Sequence, residues 1–386
     1  MAPINPAEED AIAASILQEL SDTSYACSSL TQLRGGTANF VYRGFLAQPL
    51  PGDDGFTVKS VIIKHSTDFV AINRDFPLDV TRCTFEGYML NPLAAFLPPP
   101  TADAVIKTPR LYHFNRQTNT QVIQDFPGTE DLKSIFFLPD AADFLPGPSP
   151  VTIGHRLGFW LKAFHVWARE QHQGKQHKAI GVNNPMRDLK RMITYDSVLG
   201  VIENYPELLA GHKEALETIR DAMGKEFEKL PGEEDGEDWG VIHGDFRSGN
   251  VLLQKEPWKA TVEGTNKLFI IDWEFSQYGH RAYDLGQMIG DLYERKVFND
   301  IDIVIPVMQG FIDGYGELSD DMAYRIAIHA GVQLITWYIR RPRTGPLTVP
   351  LEDIVAGLRV GRDIILKGWE KDRFFEGSML ASLFTK

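Results

Sequence analysis

The segment His243-Gly244-Asp245-Phe246-Arg247-Ser248-Gly249-Asn250, followed by Leu268-Phe269-Ile270-Ile271-Asp272, restricts what this chain can build more than any other stretch. Val241-Ile242 before the loop and Val251-Leu252-Leu253 after it read as short strands, and Leu268 to Ile271 as another. An acid and an amide thus share one tight loop, and a second acid closes a nearby strand. Phosphoryl transfer asks for such a set, because it needs an aligned nucleophile, a divalent cation across the phosphates and neutralisation of developing charge. Asp245 is placed to accept a hydrogen bond from a hydroxyl and orient it for in-line attack. Asn250 offers a neutral oxygen and Asp272 an anionic one to a hard cation. Magnesium (Mg2+) is satisfied by one or two carboxylates together with phosphate oxygens and water. The competing reading of the same residues is an ordinary turn and a strand-end cap.

At 386 residues the chain exceeds the size at which one core keeps growing, so two packed units are expected, with room for a cleft. A hydrophobic share of 43% and a charged share of 24% are those of an ordinary globular chain. The formal net charge of -13 repels nucleic acid backbones and anionic lipid, which leaves a small molecule as the expected partner, without nucleic acid or membrane. Two cysteines, Cys27 and Cys83, exclude a disulfide framework and a multi-cysteine metal site. The first twenty residues carry Glu8, Glu9 and Asp10 and no basic region before an apolar run, so the chain reads as cytoplasmic. Nothing in the sequence reports the oligomeric state.

Ala7 to Leu20 has helical spacing, with Ile12, Ile16 and Leu20 in register. Leu30 to Phe45, with Gly35-Gly36 between apolar runs, reads as a hairpin, and Val58 to Lys64 as a third strand. Asp79 to Phe96 is helical with an interruption near Pro92, and Leu111 to Asp125 forms two strands around the turn Asn115 to Thr120. From Asp131 the pattern turns mostly helical: Ile153 to Arg169, Leu199 to Ala210 and on to Leu230, Tyr283 to Arg295, and periodic stretches to the end. Lys64 ends its strand on the face of Ile62, which suits either a solvated strand end or a phosphate anchor. Glu86 lies at helical spacing from Cys83 and Leu90, within an apolar stripe where an unpaired carboxylate is costly. Pairing with Lys64 resolves that cost; a helix-surface glutamate is the alternative. Gly35 and Gly36 read either as a hairpin tip or as a loop whose backbone approaches phosphates.

His243-Gly244-Asp245 with Asn250, and Ile271-Asp272-Trp273-Glu274, resemble the aminoglycoside phosphotransferase and choline kinase family. The resemblance spans most of the chain, from Leu33-Arg34-Gly35-Gly36-Thr37-Ala38-Asn39-Phe40-Val41-Tyr42-Arg43 to Tyr283-Asp284-Leu285-Gly286. Within that family, Phe76-Pro77-Leu78 running into Arg82 and Glu86, and Glu274 to Gly279, are similar to methylthioribose kinases and the fungal 4-hydroxytryptamine kinase type. The resemblance implies a bilobal, protein-kinase-like α+β fold: an N-lobe of antiparallel sheet and one helix over residues 1–124, a hinge at 125–129, and a larger, mostly helical C-lobe over 130–386. It implies ATP and Mg2+ as cofactors and a hydroxyl of a small molecule as acceptor. Gly35, Gly36, Asn39, Lys64 and Glu86 then face the nucleotide, backbone groups of Gln124 and Phe126 meet the adenine edge, Asp245 is catalytic, and Asn250 and Asp272 hold the metal.

The adjacent glycines depart from the G-x-G-x-x-G of protein kinases, and Arg247 departs from the commonest family version, in which a histidine often occurs, either neutralising the transferring phosphate or only shaping the loop. Glu274 and Asp284 either support the metal site or serve structure, Asp284 as a helix cap. His155, His165 and His172 are spaced for packing rather than for zinc. Trp337, Tyr338, Arg340 and Arg341 form an aromatic and basic cluster, read either as a substrate wall or as core with solvated arginines. A pseudokinase scaffold is the second function class, although Lys64, Glu86, Asp245, Asn250 and Asp272 are all present. Only ten residues separate Asp272 from Tyr283, too few for a peptide-docking segment, which argues against a protein kinase.

Overall fold

Val61 and Ile63, alternating along the strand Thr57–His65, are fully buried, and this strand is paired on both edges as such a strand must be. It is the centre of a five-stranded antiparallel sheet in the order Cys27–Gln32, Phe40–Pro51, Thr57–His65, Thr120–Gln124, Leu111–Asn115. One face takes Ile16 and Leu20 of the helix Pro6–Leu20 against Phe40, Tyr42, Val61, Ile63 and Val122. The opposite set, including Lys64, meets the helix Arg82–Leu93, which contains Pro92 in its last turn. Gln121 Nε2 donates to Cys83 O at 3.1 Å and ties that helix to the sheet.

The computed structural model describes residues 6–33, 35–52, 57–101, 103–170, 182–232, 236–259, 266–339, 349–372, 375 and 377–384. The chain divides into two units, Met1–Ala95 with Thr108–Gly128, and Phe96–Lys107 with Thr129–Lys386. The stretch 96–107, grouped from sequence with the N-lobe, belongs to the larger unit because Ala104–Lys107 pairs in parallel with Asn266–Ile270.

In the larger unit that pair continues antiparallel into Val251–Gln254 and Thr129–Asp131, and a separate two-stranded ribbon joins Trp239–Ile242 to Gln277–His280. The long helices are Ser149–Glu170, Ala282–Asn299, Val304–Tyr315, Asp320–Ile339 and Leu351–Glu370. Trp160 stacks on Phe164 and on Phe246 of the loop 243–250, and Trp273 meets Trp160 and Phe164 edge-on, so the loop is anchored in one aromatic core. The helical stretch expected from Leu199 to Leu230 is broken into Ser197–Ile202, Pro206–Leu209 and Lys213–Glu226, since Pro206 lacks a donor and Gly211 turns at φ +78°. The strands Ala104–Lys107, Thr129–Asp131 and Gln277–His280 are too short for periodicity to mark them.

Candidate active site

Gly244 turns the chain out of the strand Trp239–Ile242 at φ +79°, and a Cβ there would collide with Phe275 O, so only glycine fits. His243 beside it accepts the Asp245 N–H at Nδ1 (3.2 Å) and donates from Nε2 to Ile271 O (3.1 Å). Those roles require the neutral ring, and burial holds its pKa below the ordinary histidine value.

Asp245 is gripped on both oxygens. Oδ1 accepts from Lys190 Nζ at 3.2 Å and Gln287 Nε2 at 2.5 Å. Oδ2 accepts from Arg247 Nε at 3.0 Å and Asn250 Nδ2 at 2.9 Å. Burial alone would raise the pKa of this carboxyl, but the Lys190 ammonium and Arg247 guanidinium, with the Gln287 hydrogen bond, hold it well below the usual carboxylate range. Asn250 Nδ2 also donates to Asp245 O at 2.9 Å; with both its contacts on acceptors, the amide has one orientation, and its Oδ1 is the atom left for a cation.

Ile271 N–H donates to Asn250 O at 3.0 Å where the paired strands Val251–Gln254 and Asn266–Ile270 end, so Asp272 follows immediately beside Asn250. Asp272 sits at φ +69°, ψ +66°, a left-handed conformation that an acidic side chain adopts at a cost. Among the described residues no three His, Cys, Asp or Glu side chains converge as a metal cage. A divalent ion on Asn250 and Asp272 would therefore complete its shell with phosphate and water oxygens, which suits magnesium.

The helix Ala282–Asn299 holds the loop from below. Asp284 accepts from the backbone N–H of His243 (Oδ2, 2.8 Å) and Gly244 (Oδ1, 2.9 Å), and His165 Nε2 donates to its Oδ2 at 3.0 Å. His165 is in turn bonded through Nδ1 to Tyr315 OH at 3.0 Å. Asp291 accepts from the Ser248 backbone N–H (3.1 Å) and hydroxyl, and pairs with Arg295 at 2.7 Å. Asp284 thus clamps the loop backbone and caps no helix. Glu274 is buried in the turn Trp273–Phe275, its carbonyl accepting from Asn183 Nδ2 at 3.0 Å.

In the smaller unit Lys64 Nζ lies 2.9 Å from both Glu86 oxygens, with both side chains buried. Asn39 turns inward: its Oδ1 accepts from Arg82 Nη2 and Ser66 Oγ, each at 2.8 Å. Arg82 also donates to Ala38 O and Thr67 O, pinning the end of the glycine loop. A Cβ at Gly35 would meet nothing within 4 Å, and at Gly36 only Val41 Cγ2 at 3.8 Å, so the fold itself does not demand glycine there. The Gln124 N–H is spent on Arg110 O at 2.8 Å, and its Oε1 accepts from the Arg110 N–H at 3.4 Å. Phe126 is buried, and Asp125 between them takes both Arg43 (2.8 and 3.0 Å) and Ser60 (2.6 Å).

Lys190, Gln287 and Asp291 were missed in the sequence. Asp284, Gln287 and Asp291 at helical spacing inside an apolar helix carried a readable signal; Lys190, among Arg187, Asp188 and Arg191, carried none. Arg340, Arg341, His172 and the side chains of Trp337 and Tyr338 lie outside the described residues.

A carboxylate held by cations and amides, with an Asn and an Asp on adjoining strand ends, is the kind of set that phosphoryl transfer asks for. The phosphotransferase enzyme family matches residues 169–325. The chain is 34% identical over 378 residues to the phosphotransferase FrzJ of Cladobotryum sp, covering 95% of this chain and 94% of that protein. It is 22% identical over 317 residues to the 4-hydroxytryptamine kinase of Psilocybe cubensis, covering 80% of each. Its fold is similar to that of choline kinase from Cryptosporidium parvum, with a TM-score of 0.51 at 9% identity over 97% of this chain and 99% of that one. The chain belongs to the phosphotransferase enzyme family, and it is a kinase for a hydroxyl of a small molecule.

Proposed function

We propose that this chain transfers the γ-phosphoryl group of ATP to a hydroxyl of a small sugar, amino alcohol or hydroxylated amine, with Asp245 as the catalytic residue. The observation that carries this reading is the four-donor grip on Asp245 together with the fixed amide of Asn250. The acceptor oxygen bonds to the γ-phosphorus as the bond from that phosphorus to its bridging oxygen breaks, and the hydroxyl proton passes to Asp245. A carboxylate with so low a proton affinity orients the hydroxyl early and takes its proton late, once the new P–O bond has formed.

Magnesium, held by Asn250 Oδ1 and Asp272, would neutralise phosphate charge. Lys64, kept in place by Glu86, would meet nucleotide phosphate, with Gly35 and Gly36 admitting close backbone approach. Asn39 contributes by bracing that loop through Arg82, and Gln124 O and the Phe126 backbone would meet the base. The smaller unit is then the nucleotide-binding lobe, 125–129 the hinge and the larger unit, with residues 96–107, the catalytic lobe, in a cytoplasmic enzyme that needs neither nucleic acid nor membrane. Among the described residues no helix is long and apolar enough to cross a membrane.

The test is a mass-spectrometric screen for phosphate gain across small alcohols, amines and sugars with ATP and magnesium. Asp245→Ala should lose transfer by at least about 100-fold while keeping the nucleotide-induced thermal shift. Unchanged turnover in that variant rejects the assignment.

A further inference from the structure

Lys190 is the donor to Asp245 that no motif announces. It reaches the site from the helix Asn184–Arg191, its side chain more than nine-tenths buried. Nζ is 2.7 Å from Gln287 Oε1 and 3.2 Å from Asp245 Oδ1, and it lies 5.5 Å from the centre of the Phe275 ring. Directly after it the helix widens into a π turn, Met192–Asp196, where the Thr194 hydroxyl donates to Lys190 O at 2.5 Å. Single π turns of this kind gather at functional sites.

A carboxylate has about four lone-pair positions. Lys190, Gln287, Arg247 and Asn250 fill them at 3.2, 2.5, 3.0 and 2.9 Å. An acceptor hydroxyl can bond to Asp245 only by taking the place of one donor. Asn250 is bound twice, to the Asp245 backbone and side chain, and Gln287 makes the shortest of the four contacts. Arg247 is also drawn towards Asp291 and Asp272. Lys190 makes the longest contact and keeps a partner, Gln287 Oε1, when it lets go.

We propose that Lys190 is a transferable cation of the reaction, and this rests on Asp245 being the residue that receives the acceptor. Lys190 holds the Asp245 carboxylate until the hydroxyl replaces it on Oδ1. Its ammonium, still tethered by Gln287, then faces the negative charge on the phosphoryl group passing from the nucleoside triphosphate to the acceptor oxygen.

The test measures ATP turnover by the full chain, with water and with 4-hydroxytryptamine as acceptor probes, for wild type, Lys190→Met, Lys190→Arg and Asp245→Asn. Rates are normalised to the folded fraction from thermal melts. Lys190→Met should lower kcat about 100-fold for each acceptor that turns over, as losing one donor to developing charge does. The KM of the organic acceptor should stay level or fall, because nothing has to be displaced. Lys190→Arg should recover part of the lost kcat. An unchanged normalised kcat in Lys190→Met makes Lys190 a structural counter-ion and overturns the inference. A raised KM at unchanged kcat makes it an acceptor-binding group and overturns it equally. Wild-type turnover in Asp245→Asn, or no turnover by the wild type with water or with any acceptor of the mass-spectrometric screen, instead removes the proposed function on which the inference stands.

Discussion

Asp272 pays for its position in backbone strain and so separates conformation from charge at the site. Its φ of +69° is one that asparagine tolerates as well as aspartate does. Asp272→Asn should therefore keep the backbone conformation while transfer falls by about 100-fold or more, because the anionic ligand is lost. The thermal shift produced by ATP with magnesium should shrink towards that with ATP alone, and a variant that retains both shift and turnover would remove Asp272 from the metal site. Residues of this kind were legible because motif and spacing travel together: Asp245 and Asn250 share one loop, and Asp272 ends the strand beside it. Lys190 was illegible for the opposite reason. Its partners lie 55 and 97 positions away, and nothing local distinguishes a lysine bound for the interior from one on a solvated face. Asn39 shows a third case, in which the loop was recognised but its side chain braces Arg82 and Ser66.

At the scale of elements, one helix organises the catalytic loop. Asp284, Gln287 and Asp291 of Ala282–Asn299 present polar groups to residues 243–248, while Gly286 and Gly290 let the helix Asp320–Ile339 approach its other side. That helix was readable as an element, yet the register that puts three polar residues under one loop depends on tertiary packing. The same close approach joins Ser149–Glu170 to Val304–Tyr315: Gly154 and Gly158 face Val307 and Phe311, and Gly310 and Gly314 face Val151 and His155, backbone against backbone. A methyl at Gly314 would collide with His155 O, a backbone atom that cannot swing away. Gly314→Ala should then cost about 3 kcal/mol or more by denaturant titration, with the loss of packing outweighing the gain in helix propensity. Gly200→Ala is the matched control in a helix where a Cβ meets nothing within 4 Å, and it should be neutral or stabilising by up to about 1 kcal/mol. Equal effects at the two positions would show that helix propensity, and not contact, sets the stability.

Across the molecule, burial of histidine is unevenly shared between the two units. His165, His243, His280 and His329 are all buried in the larger one, and burial pushes the pKa of each below its ordinary 6.5, that of His280 to about 2, with Arg325 adding to the effect on His280 and His329. Their neutral rings are used: His165 and His243 accept at Nδ1 and donate at Nε2 around the catalytic loop, and His280 Nδ1 accepts from the Ala282 N–H at 3.2 Å. Above pH 6.5 both folded and unfolded chains carry these rings uncharged, so they cost nothing. Below it the unfolded chain binds protons that the folded chain refuses, and stability falls with falling pH. The depressed carboxylates Asp245 and Asp284 do not oppose this, because their contribution is lost only below their ordinary value of 3.8. His280, held at about 2, contributes about 1.4 kcal/mol per pH unit below 6.5, and His165, His243 and His329 add to the loss in the same direction. The smaller unit has His65 shifted in the same direction and should lose much less. Calorimetry at the two pH values should accordingly show the larger unit's transition moving down steeply and separating from that of the smaller unit. His280→Asn should flatten the slope by about one proton's worth, and a larger unit whose melting temperature is the same at pH 5.5 and 7.5 would mean that these rings accept protons without unfolding.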